Sequence, residues 1–192
     1  ALFDKYSTNG GGNTASKFGG TIRAAINSGR VSASSMRNLQ GDGVRDNQLV
    51  TWVESHDNYA NKEMDGHGVS SAISAEKIRK GWALIASRAG GAPLFFNRPV
   101  GSGGPSQPQF SERTQLGSAG DDEWKHPEVK WVNKFRNAME GSPENLQNCN
   151  GDQSCVTIER GIADGNSGSD GLVAVNLGDG DKDLAGMSTI LD

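Results

Sequence analysis

Apolar residues recur along this chain in two rhythms. Phe18, Ile22, Ala25 and Ile26 fall at i, i+4, i+7 and i+8, one face of a helix, and predict a helix over 16–26 that Asn27-Ser28-Gly29 stops. Ile78, Trp82 and Ile85 repeat that spacing within a helix predicted over 75–87, with Ser74 as N-cap, Glu76 in the first turn and Gly90-Gly91 beyond the end. Val129, Val132, Phe135 and Met139 form the stripe of a third helix, which begins near Pro127 and stops at Gly141-Ser142-Pro143. Between the helices lie short continuous runs. Residues 49–54 (LVTWVE) are β-branched and aromatic, with turn residues on both sides, and predict a strand. Residues 92–97 (APLFFN) predict a second buried strand, with Pro93 tolerated near its start. Nearly unbroken apolar character in such runs points to strands covered on both faces, as in a parallel sheet. A polar stretch over 32–47 and a long loop over 98–122, rich in Gly, Pro, Ser and Gln, separate these elements.

After Pro143 the texture changes. Residues 155–159 and 172–177 read as strands joined by glycine-rich turns, and no helical period returns. The order helix, strand, helix, strand, helix, then strands alone predicts a parallel α/β part over 1–141 and a small antiparallel β part over 142–192.

Composition narrows this picture. At 192 residues the chain is too short for a complete α/β barrel of roughly 250 residues. Glycine supplies 27 of the 192 residues, about twice the average usage of ~7%, which fits a loop-rich globular protein. With 19 basic and 23 acidic residues the formal net charge is −4, so there is no electrostatic footprint for nucleic acid and no basic cluster for a membrane surface. No apolar run approaches the roughly 20 residues of a bilayer span. The first twelve residues lack the apolar core of a signal peptide, and a mature secreted chain looks the same. Cys149 and Cys155 flank the turn signal Asn150-Gly151, which reads as a short hairpin disulfide, with two free thiols as the alternative.

The sharpest chemical feature is Glu54-Ser55-His56-Asp57, placed at the carboxyl end of a predicted strand, where parallel α/β folds build their sites. A carboxylate beside an imidazole can perform acid/base work or bind a polyol through charge-assisted hydrogen bonds; the plainer alternative is a structural or capping pair. A cation held by Glu54, His56, Asp57 and His67 is a weaker reading, because no established ligand spacing is present. A Ser55-His56-Asp57 hydrolase is weaker still. No Gly-x-Ser-x-Gly elbow sits at a strand-to-helix turn, and Gly165-Asn166-Ser167-Gly168 lacks that context. The glycine-rich stretches contain no phosphate-loop Lys-Ser/Thr pair.

These segments carry a resemblance. LVTWVESHDNYAN (49–61) resembles the region around the third catalytic carboxylate of the alpha-amylase family in its secreted bacterial form. GWALIASRAGGAPLFFNRP (81–99) resembles that family's seventh barrel helix and eighth strand, and EVKWVNKFRNAM (128–139) its eighth helix. TIERG (157–161) and GLVAVN (171–176) resemble the opening of its C-terminal β-domain. The motifs stand in the family's order over roughly 14–177.

The resemblance implies the C-terminal part of a TIM (β/α)8 barrel followed by a small antiparallel β-domain. It implies a secreted, extracellular hydrolase that cleaves internal α-1,4 bonds of starch and malto-oligosaccharides with retention, through a carboxylate nucleophile and an acid/base about 5–5.5 Å apart. Asp57 matches the third, catalytic carboxylate, His56 the neighbour that hydrogen-bonds the same sugar, and Asn61 a further substrate contact. The family's nucleophile and acid/base sit on the fourth and fifth strands, which places both before Ala1; Asp4, Asp42 and Asp46 do not match them. The complete family enzyme binds calcium through that same upstream part, so no metal is expected from the residues present. Relatives that use chloride carry Asn before the His-Asp pair; Ser55 stands there, so no chloride is expected. The missing N-terminal portion of the barrel is then a partner in its own right. The alternative is a non-catalytic glucan-binding or partner-assembled piece, with Trp52, Tyr59, Trp124 and Trp131 as candidate stacking faces or, more plainly, as core. Three strands of a barrel leave open edges and helices with uncovered apolar faces, so the isolated chain is expected to be poorly stable.

Overall fold

The computed structural model describes residues 12–39, 45–61, 69–161 and 170–184. A short strand β1 (Asn13–Thr14) leads into α1 (Ser16–Ser28), which closes on Gly29 at φ 69°, where glycine fits the left-handed cap. A five-residue helix α2 (Ala33–Arg37) follows, capped by the Ser32 hydroxyl, which accepts from the Ser34 amide at 3.2 Å. It lies in the stretch that reads as polar, and buried Ala33 and Met36 on its inner side hold it. Next come β2 (Leu49–Trp52), α3 (His56–Ala60), α4 (Ala75–Ala86), β3 (Ala92–Leu94) and α5 (Pro127–Ala138). The predicted helices fall where their apolar stripes put them. Both predicted strands are shorter than their runs, ending at Trp52 and Leu94.

The three strands form one parallel sheet in the order β1-β2-β3. The register pairs Thr14 with Val50 and Val50 with Ala92, and Trp52 with Leu94, so these five residues share one face. Leu49, Thr51 and Val53 share the opposite face, on which α1 and α4 pack. Glycines allow the helices to approach closely: a Cβ on Gly81 of α4 would lie 2.9 Å from Val53 Cγ1, and one on Gly19 of α1 2.9 Å from the Trp52 carbonyl oxygen. The helix-covered face is closed, whereas the other is open at Thr14, Ala92 and Leu94, the last 57% exposed. This corrects the expectation of a fully buried second strand.

The remaining strands, β4 (Glu144–Asn148), β5 (Cys155–Arg160) and β6 (Gly171–Asn176), form an antiparallel sheet in that order. β4 has no apolar pattern beyond Leu146; it pairs Leu146 with Ile158 at the sheet edge. Cys149 and Cys155 are joined in a disulfide across the β4–β5 connection. Leu146, Val156, Ile158 and Val175 belong to the same apolar core as Phe18, Ile22 and Leu49.

Arginines close the junction between the two sheets. Arg88, just past α4, donates to Glu144 from Nε at 3.0 Å and from Nη2 at 2.6 Å. Arg160 donates to the carbonyls of Ser87 at 3.1 Å and Met139 at 2.6 Å, and Arg136 to that of Arg88 at 2.8 Å. These carbonyls lie at the ends of α4 and α5, where cations are favoured.

Candidate functional site

The chain leaves β2 through Val53, whose carbonyl accepts from buried Arg23 Nη1 at 2.8 Å. It then turns at Ser55, which is extended at φ −132° and ψ 169° and caps α3. The Ser55 hydroxyl accepts from the Asn58 amide at 3.4 Å and donates to Asn58 Oδ1 at 2.9 Å. Asn58 Oδ1 also accepts from Trp52 Nε1 at 3.3 Å, which ties the cap to the strand beneath it. The capping duty therefore falls on Ser55. His56 and Asp57 are left free of it, and the Ser55 hydroxyl is not aimed at His56 as a Ser-His-Asp arrangement requires.

His56 Nε2 lies 3.2 Å from Asp57 Oδ1, and the two side chains are 83% and 51% exposed. An imidazole and a carboxylate side by side on an open surface can share hydroxyl groups of one polyol, the carboxylate accepting and the imidazole donating or accepting. Asn61 ends α3 one turn later, donating its amide to the Asp57 carbonyl at 3.0 Å. The structure thus brings His56 and Asp57 together and sets Asn61 exposed on the same short helix.

Beneath this open pair lies a closed polar layer that sequence reasoning missed. Glu54 is 3% exposed and Arg98 4%. Arg98 Nε and Nη2 meet the two Glu54 carboxylate oxygens at 2.9 and 2.8 Å, a bidentate pair. Its other donors reach the carbonyls of Ile73 at 2.7 Å and Ser70 at 3.1 Å. Its guanidinium lies 5.5 Å from the Tyr59 ring centroid. Tyr59 is buried; its hydroxyl donates to the Gln109 carbonyl at 2.7 Å and lies 2.6 Å from Ser102 Oγ. Burial pushes the Tyr59 hydroxyl above its ordinary range, against the Ser102 hydrogen bond and the Arg98 charge. Gln109 Nε2 returns to the carbonyls of Tyr59 at 2.6 Å and Ala60 at 3.0 Å, strapping the long loop over α3. The sequence singles out Glu54 and Tyr59 separately, and Arg98 stands just past a predicted strand end, but nothing in it joins the three.

Among the described residues no group of three or more His, Cys, Asp and Glu is placed to hold a metal ion. Both Glu54 oxygens are committed to Arg98, which takes Glu54 out of the ligand set considered above, and His67 lies outside the described residues. Gly165-Asn166-Ser167-Gly168, Asp4 and Asp42 lie outside them as well. Of the aromatic candidates, Trp52 and Tyr59 are buried, whereas Trp124 and Trp131 are 48% and 67% exposed. The expected packing of Trp131 against the barrel is therefore not what forms; α5 turns it outward, beside a cavity of about 570 Å³ lined by Phe135, Leu172 and Val173 among others. That cavity contains neither His56 nor Asp57; the charged groups on its lining include the ion pair Arg79 Nε–Glu128 Oε2 at 2.7 Å. No described helix is long and apolar enough to cross a membrane.

No protein-family model matches the chain. Curated relatives do, among them two alpha-amylases. The alpha-amylase of Butyrivibrio fibrisolvens is 38% identical over 159 residues, covering 78% of this chain and 16% of that protein. The alpha-amylase of Clostridium acetobutylicum is 39% identical over 166 residues, covering 86% of this chain and 18% of that protein. The chain thus spans less than a fifth of the length of the curated relatives it matches.

Proposed function

The chain is related to the alpha-amylase family across most of its length, and on that premise we propose that it carries the third carboxylate of a retaining α-glucan hydrolase. The observation that carries the reading is Asp57: an open carboxylate beside an open imidazole, at the carboxyl end of the central strand of a parallel sheet, relieved of capping by Ser55. In this reading β1, β2 and β3 are three consecutive strands of a (β/α)8 barrel. Their sequential parallel order supports it, as do the helices on one face and the uncovered row Thr14, Ala92 and Leu94 on the other. Parallel sheets are ordinarily covered on both faces, and the interior of a barrel supplies that cover.

Asp57 accepts hydrogen bonds from hydroxyls of the sugar undergoing reaction, His56 holds the same sugar, and Asn61 contacts the chain further along. Such contacts accelerate the reaction where they strengthen as positive charge develops on the ring. The nucleophile and acid/base come from outside the present sequence, and starch and malto-oligosaccharides are the substrates. The Cys149–Cys155 disulfide supports an extracellular setting.

A starch pull-down paired with a reducing-sugar assay on this chain tests the reading. Retention on starch that Asp57→Asn and His56→Gln weaken, with no release of reducing ends, is expected. Hydrolysis by the isolated chain, or retention indifferent to both substitutions, contradicts it.

A further inference from the structure

We propose that Glu54 and Arg98 are a positioning pair: buried beneath α3, they fix the direction in which Asp57 and His56 face a bound sugar. The inference rests on the reading of Asp57 above.

Among the described residues, Arg98 joins several of the segments around that helix. It holds Glu54, three residues before Asp57, through two hydrogen bonds. It holds Ile73 and Ser70 through their carbonyls. It lies over the ring of Tyr59, two residues after Asp57. The long loop closes on the same hub at Gly103, where a Cβ would stand 2.8 Å from Arg98 Nη1 and 3.1 Å from the Tyr59 hydroxyl. Gly103 has a φ of 79°, so this close approach also uses the backbone freedom of glycine.

Stability alone does not account for this arrangement. A buried ion pair loses much of its attraction to desolvation, and well-packed apolar residues often serve stability equally well. Apolar residues have no preferred direction, however, whereas a bidentate pair with further bonds to two carbonyls admits one arrangement of the segments it joins. Neither Glu54 nor Arg98 reaches the surface where a sugar binds, so their effect on a ligand must pass through His56 and Asp57. The molecule also supplies a control. Arg88 and Glu144 form a similar pair on the amino side of β3, at the junction of the sheets.

The test is an NMR titration of the full 192-residue chain with maltotriose, read on the His56 ring and the Asp57 amide, with His56→Gln identifying the ring signals. In the wild-type chain those signals move saturably. Arg98→Lys and Glu54→Gln each weaken binding about tenfold or more and keep dispersed spectra. Arg88→Lys leaves the affinity within about twofold even where it lowers the melting temperature. Affinity unchanged in both Arg98→Lys and Glu54→Gln overturns the positioning role and leaves the reading of Asp57 standing. Loss of dispersion in both variants also overturns it, because the pair is then a folding element. No response in the wild-type chain removes the reading of Asp57 itself, and the positioning role with it.

Discussion

Arg88 and Glu144 face each other across the junction of the two sheets, the guanidinium donating to both carboxylate oxygens and the Ala89 amide adding a further bond at 2.6 Å. Arg88 is 1% exposed, so its partner cannot be replaced by water. Burial alone raises the Glu144 carboxyl, but the hydrogen bonds from Arg88 and the Ala89 amide and the charges of Arg88 and Arg160 together more than offset it, and the net shift is downward. The folded state therefore binds the Glu144 proton less readily than the unfolded state does. This contribution to stability is complete above the ordinary carboxylate pKa and is lost as pH falls through the lowered value. Unfolding free energy measured by denaturant should decline as pH falls below about 5, and Glu144→Gln should flatten that decline. Arg88→Met, which strands the carboxylate, should cost about 3–5 kcal/mol near neutral pH. Equal slopes in wild type and Glu144→Gln would remove the pair from this role.

The capping of α3 is a local matter with a measurable size. Ser55→Ala deletes the side-chain acceptor for the Asn58 amide and should cost about 0.5–2 kcal/mol. Ser55→Asp, which keeps an acceptor at the cap, should recover most of that in the same denaturant titration. If Ser55→Ala is neutral, the cap is not what frees His56 and Asp57.

The long helices were legible because each has a stripe of apolar residues at one helical repeat, and the central strand because 49–53 is a nearly unbroken β-branched and aromatic run. Sequence periodicity missed β4, whose Glu144, Asn145, Gln147 and Asn148 are polar and are held by pairing to β5. It missed α2 and α3 because five residues are too few for a helical repeat to register. For the site, motif resemblance brought out His56 and Asp57, which lie side by side, but no local pattern links Glu54 to Arg98 across 44 residues. That pairing exists only once β2 and β3 lie next to each other. Exposure was misjudged where burial depends on what covers a face: Leu94 and Trp131 read as core and stand open.

The disulfide holds the β4–β5 connection, on which other contacts converge. Asn148 Nδ2 donates to the carbonyls of Val31 at 2.9 Å and Cys155 at 3.0 Å, linking that connection to the segment before α2. Reduction, or the Cys149→Ser/Cys155→Ser double variant, should destabilise the chain by about 2–4 kcal/mol. Melting curves with and without reductant check this. Identical curves would show that the surrounding hydrogen bonds suffice.

The open sheet face makes the chain prone to association. Leu94 on that face is 57% exposed, and Trp131 and Leu172, beside the cavity between α5 and β6, add 67% and 47% exposed apolar side chains elsewhere. Light scattering should show concentration-dependent growth of the wild-type chain that Leu94→Lys reduces, because a charge on that face discourages contact between copies. A monomeric chain with a sharp, reversible thermal transition at all concentrations contradicts the uncovered-barrel reading.

The central claim is that this chain supplies the third carboxylate of an α-glucan hydrolase. The most direct measurement grafts it into the Clostridium acetobutylicum alpha-amylase in place of the 166 residues it matches and follows soluble-starch hydrolysis. The account predicts an active chimaera in which Asp57→Asn lowers kcat by about 10²–10³-fold or more. A chimaera that folds and hydrolyses starch equally well with Asp57→Asn would contradict it.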